Sequence, residues 1–257
     1  MPAAIDLNCD MGESFGAWSM GADAAVMPLI SSASIACGFH AGDPAVMQSS
    51  VRLALDHAVA IGAHVSLPDL QGFGRREMAL SAQEAYQLTL YQLGALDAFV
   101  RTQSARMAHC KPHGALYNMA ARDRALADAI AQAVRDFDPG LVLFGLSGSA
   151  LPAAGEALGL AVAHEVFADR SYESDGSLTA RRIPGAVLAQ QTAVATQATQ
   201  LALHGTLSAR DGVRLQLRAD SICVHGDRDA AAEFAHAIRA ALDGAGMTVR
   251  APSGAGR

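Results

Sequence analysis

Residues 105–114 read ARMAHCKPHG, a short apolar run that ends in ionisable side chains. The same arrangement recurs in AAIDLNCDMGES (3–14), ASIACGFHAGD (33–43), VAIGAHVSLPD (59–69), LVLFGLSGS (141–149), LAVAHEVFADRS (160–171) and DSICVHGD (220–227). The runs are apolar on both faces, as parallel strands covered on both sides are. Parallel α/β barrels gather their active-site residues at the carboxyl ends of the strands. The repetition therefore predicts an α/β barrel enzyme of seven strands with one polar mouth.

Helix signals separate these runs. Asp43 and Pro44 favour a helix start, and Gly62 is predicted to follow its end. Ser81 and Glu84 have the spacing of a capping box. Further helices are predicted over residues 122–136, 184–204 and 229–244. Strands and helices thus alternate along the chain.

Length and composition fit one domain. With 257 residues, 51% of them apolar, the chain can bury a large core without dividing. We predict a single barrel over residues 1–250 and a flexible tail over 251–257.

The net charge and the hydropathy of the chain limit the kinds of partner that it is expected to bind. A net charge of −6 and scattered arginines give no basic stripe, so we expect no nucleic acid partner. No apolar segment approaches a membrane span, and the start lacks the pattern of a signal peptide. We expect no membrane association and a cytoplasmic protein that acts on a small solute.

Two connections are longer than plain crossovers. SLPDLQGFGRREM (66–78) and ADRSYESDGSLTARRIPG (168–185) are predicted to lie as lids over the mouth. Residues 207–220 contain Asp211-Gly212 between alternating residues, which indicates a hairpin.

Lys111 is the only lysine among 19 basic residues. An amine is a compact charge whose pKa shifts readily on burial, which an arginine cannot replace. A surface lysine without a role is the alternative, but the position of Lys111 at a strand end favours a place in the active site.

Four histidines also fall at strand ends: His40, His64, His113 and His225. Together with Asp10 they suit a divalent metal or a general-base cluster.

Other candidates have structural alternatives. Asp10 and Glu13 fit a metal ligand and a base, or caps of the next segment. Asn8 should project to the same side as Asp10. Asp69 and Asp169 fit the site or the turns of their loops, and Asp227 fits the site or a helix cap.

The sequence does not support cysteine chemistry, a standard phosphate-binding motif or a serine nucleophile elbow. The four cysteines, Cys9, Cys37, Cys110 and Cys223, have no CxxC spacing and are predicted to be small buried side chains rather than a zinc site or nucleophile. There is no P-loop, no GxGxxG after a strand and no GxSxG elbow. The small residues of GLSGS (145–149) are predicted to leave room for substrate.

Six motifs, in order, resemble the LamB/YcsF family over nearly the whole chain. They are DLNCDMGESFG, IACGFHAGDP, GAH followed by PDLQGFGRRE, KPHGALYN, EVFADRSYESDGSL and ICVHGD. The resemblance implies a distorted TIM-like (β/α)7 barrel of the glycoside hydrolase/deacetylase type. Val65 and Leu67 depart from the family pattern, which has proline and an aromatic residue there.

The resemblance also implies an activity. It is the cleavage of 5-oxo-L-proline to L-glutamate with hydrolysis of ATP as cosubstrate, together with the 5-oxoprolinase subunits B and C. Opening a lactam needs a polarised carbonyl oxygen, an activated water and a proton for the leaving nitrogen.

Roles follow as hypotheses. Asp10, His40 and His64 would hold a divalent metal or activate water, and Lys111 with His113 would polarise amide or phosphate oxygens. The expected substrate-binding residues are Asn8, Glu13, Arg75, Asp169, Arg170 and His225. Arg75 and Arg170 would each hold the substrate carboxylate.

Two other functions stay open. One is a metal-dependent deacetylase or amidohydrolase that works without ATP, supported by the same aspartate and histidines. The other is a non-catalytic subunit that presents substrate to its partners. Stoichiometric metal and amide hydrolysis without ATP would favour the deacetylase or amidohydrolase. Unaffected turnover after substitution of Asp10, His40 or Lys111 would favour the non-catalytic subunit.

Overall fold

A computed structural model describes residues 4–225 and 230–254. Its ten strands, in chain order, are β1 (Ala4–Met11), β2 (Ser32–Ala36), β3 (Ala60–Val65), β4 (His109–Pro112), β5 (Val142–Leu146), β6 (Ala161–Phe167), β7 (Thr206–Ser208), β8 (Arg214–Gln216), β9 (Ser221–Val224) and β10 (Thr248–Val249). β1 to β6 pair in sequence and in parallel, and β9 pairs with both β6 and β1. The sheet is therefore a closed barrel of seven parallel strands, which confirms the predicted fold class.

Helices surround this barrel. They are α1 (Asp23–Val26), α2 (Pro44–Asp56), α3 (Ala82–Thr102), α4 (Gly114–Arg122), α5 (Arg124–Phe137), α6 (Ala150–Ala157), α7 (Gln191–His204) and α8 (Ala231–Gly244), with one 3₁₀ turn at Met27–Leu29. β10 adds to the start of β1, and β7 and β8 form the predicted hairpin beside the barrel. Among the described residues, no helix is both long enough and apolar enough to span a membrane.

The two predicted helix starts are confirmed. Asp43 caps α2 by accepting hydrogen bonds from the N–H groups of Ala45 and Val46. Ser81 and Glu84 form a reciprocal capping box on α3. Each cap satisfies N–H groups that have no partner within the helix.

Other boundaries were wrong. Gly62 lies within β3, because α2 already ends at Asp56. The helix predicted over 122–136 is α5, which starts at Arg124 and is separated from α4 by Asp123. The helix predicted from residue 184 begins at Gln191, because the preceding residues belong to the long loop. Asp227 and Asp229 lie outside the described residues.

The core lies between the sheet and the helices, while the barrel interior is partly polar. Along β1, Ile5, Leu7 and Cys9 belong to the apolar core. The alternate residues Asp6 and Asn8 contact side chains of other strands inside the barrel. The prediction of strands that are apolar on both faces was therefore wrong for β1, whose inner face builds the site.

Candidate active site

Most of the predicted site residues lie together at the carboxyl-end mouth. Asn8 and Asp10 are on β1, His64 is on β3, and Lys111 is on β4. The others follow strand ends, and all except Arg75 are buried. The buried set is Asn8, Asp10, Glu13, His40, His64, Lys111, His113, Asp169, Arg170 and His225.

Lys111 occupies the centre of this group. Its ammonium lies 2.9 Å from Asn8 Oδ1, 2.8 Å from Asp10 Oδ1 and 2.7 Å from Glu165 Oε1. Its side chain is 2% exposed, and Cys223 Sγ lies 3.2 Å from the same nitrogen. The three ammonium protons therefore have three oxygen acceptors within the barrel.

The charges in this group support each other. Burial opposes the charge on Lys111, but Asp10, Cys223 and Glu165 raise its pKa well above the ordinary value. Burial also opposes ionisation of Asp10, yet His64 and Lys111 hold the pKa of that carboxyl well below its usual range. At neutral pH the site therefore contains a buried ammonium beside an ionised Asp10.

Three histidines stand beside Asp10. His64 Nε2 lies 3.2 Å from Asp10 Oδ2 and 2.9 Å from His113 Nδ1. The rings of His40 and His113 stack, with centroids 4.0 Å apart. Glu13 Oε1 lies 3.4 Å from His40 Nε2 and 3.6 Å from His113 Nδ1.

Backbone carbonyls fix the tautomers of two of these rings. His64 Nδ1 lies 3.0 Å from the carbonyl oxygen of Lys111, and His113 Nε2 lies 2.9 Å from that of Phe73. Because a carbonyl only accepts, each of these nitrogens carries a proton. Burial, with neighbouring His40 and His64, lowers the pKa of His113 well below the ordinary value. His64 Nε2 and His113 Nδ1 therefore face each other and need a shared proton or a bound cation between them.

The donor set fits a divalent metal. Ligand atoms of Glu13, His40, His64 and His113 all lie within 4.8 Å of one another, and all four residues are buried. Neither ring nitrogen of His40 forms a hydrogen bond among the described residues. Imidazole and carboxylate ligands suit zinc or manganese. Asp10 falls in a second group with Cys223 and His225, while it touches the first group through His64.

Asp169 and His225 form a pair at the other side of the mouth. The carboxylate of Asp169 lies 2.9 Å from His225 Nδ1. Burial opposes ionisation of Asp169, but the interaction with His225 lowers its pKa. This contact orients the imidazole so that its other nitrogen, Nε2, can serve the cavity.

Arg170, Arg75 and Asp69 differ in burial and in the groups that they contact. Arg170 is buried and donates to the carbonyl oxygens of Ala186 and Thr179, so it braces the loop of residues 168–185. Arg75 is exposed, and its guanidinium lies 4.9 Å from the centre of the Phe73 ring. Asp69 binds Arg76 and the Gly72 N–H, which confirms its structural alternative.

Both long loops border one cavity of about 650 Å³ above this centre. Its lining includes Asp10, His64, Lys111, His113 and His225 at the centre, with Arg75, Ser147, Gly148, Ser149, Arg170, Arg181 and Arg182 around them. The loops thus lie where lids were predicted. The small residues after β5 border the cavity, as expected.

The loop of residues 66–78 sits against the histidines because of two glycines. Gly74 and Gly114 have positive φ angles of 63° and 55°. A Cβ on Gly114 would lie 2.6 Å from the carbonyl oxygen of Gly74, and one on Gly74 would lie 2.9 Å from His40 Cβ. Side chains at either position would separate the loop from the site.

Sequence reasoning gave no role to several residues that the structure places in the site. Glu165 belongs to the quoted run LAVAHEVFADRS, but the sequence pattern does not predict its contact with Lys111. Its signal was an acidic residue within the apolar run AVAHEVF. Cys223 is buried and free, as all four cysteines are predicted to be, but it also touches Lys111. His109 fills the barrel interior against Ser34 Oγ at 3.1 Å, and Gly62 leaves the space for its ring.

Fold and site together define the class: a seven-stranded parallel (β/α) barrel with its ionisable side chains gathered at the carboxyl-end mouth. The chain belongs to the LamB/YcsF family, whose profile matches residues 5–256. This confirms the resemblance seen in the six motifs.

Particular relatives cover nearly the whole chain. The 5-oxoprolinase A subunit of Tolumonas auensis is 55% identical over 249 residues, which are 97% of this chain and 99% of the relative. That of Bacillus subtilis is 53% identical over 97% of both chains. The crystal structure of a lactam utilization protein from Thermus thermophilus superposes with a TM-score of 0.92 at 47% identity, covering 97% of this chain and 100% of that one.

Proposed function

We propose that this protein is the A component of an ATP-dependent 5-oxoprolinase. In this reaction 5-oxo-L-proline, water and ATP give L-glutamate, ADP and phosphate, and subunits B and C complete the enzyme. The observation that carries the proposal is the match to 5-oxoprolinase A subunits over 97% of the chain. The name of the Thermus thermophilus protein, which refers to lactam utilization, agrees with this substrate class.

The centre contains the groups that amide hydrolysis needs. Asp10 is held between Lys111 and His64, and all three border the cavity. We assign His64, supported by Asp10, to accepting a proton from the attacking water. We assign His225, held by Asp169 and protonated on both ring nitrogens, to delivering the Nε2 proton to the leaving nitrogen. Lys111 keeps Asp10 ionised, and its charge stabilises negative charge on the reacting oxygen.

The substrate carboxylate and the phosphate need positive charge. Arg75, Arg181 and Arg182 border the same cavity from the two long loops. Guanidinium groups bind carboxylate and phosphate through paired hydrogen bonds. We give the anion contacts to these three because they border the cavity, and a bracing role to Arg170, which donates to the loop backbone.

A divalent metal has a fitting place beside Asp10. Glu13, His40 and His113 would hold it, and it would lower the pKa of a water ligand, while His64 Nε2 stays available for the proton of the attacking water. Around it, the chain itself fixes the rings: the carbonyls of Lys111 and Phe73 orient His64 and His113.

The test is release of glutamate and phosphate from 5-oxoproline plus ATP. The protein is assayed alone and then mixed with its presumed B and C partners. We expect coupled release in the mixture and its loss when His64 is replaced by Gln. Coupled release that persists at the wild-type rate with His64→Gln and Lys111→Met would leave only substrate presentation to this protein.

The histidine cluster favours one second candidate, a metal-dependent amidohydrolase that works without ATP. Four buried ligand groups within 4.8 Å are the observation behind it. Hydrolysis of amide or acetamido substrates by the zinc-loaded protein alone, unaffected by ATP, would replace the first proposal with this one.

A further inference from the structure

A further carboxylate lies inside the barrel, besides those of Asp10 and Glu165. Asp6, on β1, is 1% exposed and is not among the residues that border the described cavity. Three hydroxyl groups surround it. Ser31 Oγ and Ser32 Oγ donate to Oδ1 at 2.6 and 2.7 Å, and Ser221 Oγ donates to Oδ2 at 2.5 Å.

One of these hydroxyls continues toward the site. Ser221 Oγ also accepts a hydrogen bond from Asn8 Nδ2 at 2.7 Å. The other end of the Asn8 amide, Oδ1, accepts from Lys111 Nζ at 2.9 Å. Asn8 Nδ2 also donates to Glu165 Oε1 at 2.8 Å. An unbroken chain of hydrogen bonds thus joins Asp6 to Lys111.

The donors and acceptors fix the direction of the hydrogen bonds that join Asp6 to Lys111. An ionised carboxylate only accepts, so the single proton of Ser221 points to Asp6. The lone pairs of Ser221 are then left for the Asn8 amino group. Ser221 and Glu165 thus both accept from the Asn8 amino group, and the Asn8 oxygen faces Lys111; a reversed amide would turn its N–H groups toward an ammonium.

We propose that Asp6 is a positioning residue: through Ser221 it fixes the orientation of the Asn8 amide, and thereby the hydrogen bond in which Asn8 holds the Lys111 ammonium. The inference concerns the centre of the proposed lactam-opening reaction and rests on that function only for its kinetic readout. The competing account is purely structural, with Asp6 tying β1 to β2 and β9.

The three serines separate these accounts. Ser221→Ala removes the link toward Asn8 and leaves Ser31 and Ser32 on Asp6. Ser32→Ala is the matched control, because it removes a hydrogen bond from the same carboxylate without touching the Asn8 branch. Asp6→Asn keeps the shape of the side chain but removes the acceptor-only oxygen that gives the chain its direction. Should Asp6→Asn not fold, Ser221→Ala tests the same link.

The readout uses the single lysine of the chain. Protein labelled with ¹⁵N- and ¹³C-lysine gives one side-chain signal set, which reports the surroundings of Lys111. We expect Ser221→Ala and Asp6→Asn to displace these signals and Ser32→Ala to leave them in place. Unmoved signals in Ser221→Ala and Asp6→Asn, or an equal displacement in Ser32→Ala, would overturn the proposal.

Kinetics of the complete enzyme give the second readout. Loss of the hydrogen bond from Asn8 to Ser221 should lower kcat about tenfold in Ser221→Ala, with KM changed less than about twofold. Ser32→Ala should stay within about twofold of wild type. A change of KM alone would contradict a positioning role. If the wild-type mixture shows no oxoprolinase activity, the proposed function fails, while the lysine signals still decide the role of Asp6.

Discussion

Replacing Lys111 by methionine tests whether the buried ammonium organises the site. Methionine keeps much of the side-chain volume but removes three contacts, at 2.7 to 2.9 Å, to Asn8, Asp10 and Glu165. A hydrogen bond to a charged group contributes roughly 1.5 to 3 kcal/mol, and burying the charge offsets part of the sum. Breaking a buried ion pair from one side costs about 3 to 5 kcal/mol, so we expect that loss in the free energy of unfolding.

The loss should depend on pH. In the wild type, the lowered pKa of Asp10 contributes stability that is present above its unfolded value and is lost only as pH falls through the folded value. Without Lys111, the carboxyl of Asp10 loses one of the cations that lower its pKa, so it takes up a proton more readily. The destabilisation by Lys111→Met should therefore be largest near pH 8 and smaller near pH 5.

Urea denaturation at both pH values measures this difference. Circular dichroism is the suitable signal, because the single tryptophan, Trp18, is 64% exposed and reports poorly on the core. The double variant Lys111→Met with Glu165→Gln removes one unpaired carboxylate and should recover part of the stability. Turnover in the proposed oxoprolinase reaction should remain lower by orders of magnitude in both variants.

Two results would refute this reasoning. A stability loss below about 1 kcal/mol at pH 8 would mean that Lys111 is not a buried cation that pairs with the carboxylates. Normal turnover in the double variant would mean that the lysine serves only to neutralise its neighbours.

Three further predictions concern other parts of the barrel. Burial raises the pKa of Asp6 to about 6, so its ionisation costs stability as pH rises through that value. The free energy of unfolding of Asp6→Asn, measured by urea denaturation, should rise by up to about 3 kcal/mol relative to that of the wild type between pH 4 and pH 8. If this difference in unfolding free energy is the same at both pH values, the pKa of Asp6 is not raised. Zinc should raise the Tm of the wild type but not of His113→Ala, and an equal rise in both would exclude the histidine cluster as the binding site. Gly114→Ala, with a left-handed φ and a Cβ 2.6 Å from Gly74 O, should cost at least about 1 kcal/mol and raise the KM for 5-oxoproline; unchanged KM would separate the loop from substrate binding.

Short sequence patterns were sufficient to predict structural features that depend only on neighbouring residues. Asp43 and the Ser81–Glu84 pair predicted helix starts because each cap satisfies N–H groups within a few residues. Gly62 misled the same reasoning. A glycine after an apolar helical stretch resembles a helix end, but here it makes room for His109 from the neighbouring strand.

The amino-acid sequence alone was sufficient to predict the barrel and most of its site. Seven apolar runs with polar ends indicate parallel strands, and parallel strands bring Asp10, His64 and Lys111 to one mouth. Which groups pair within that mouth became clear only from the folded chain. Glu165 is 54 residues from Lys111 and yet contacts its ammonium, while Arg170 borders the cavity and also donates to the backbone of its own loop. Hydrogen-bond partners inside a closed barrel are set by strand register and by side-chain reach across the interior, and no local pattern contains either.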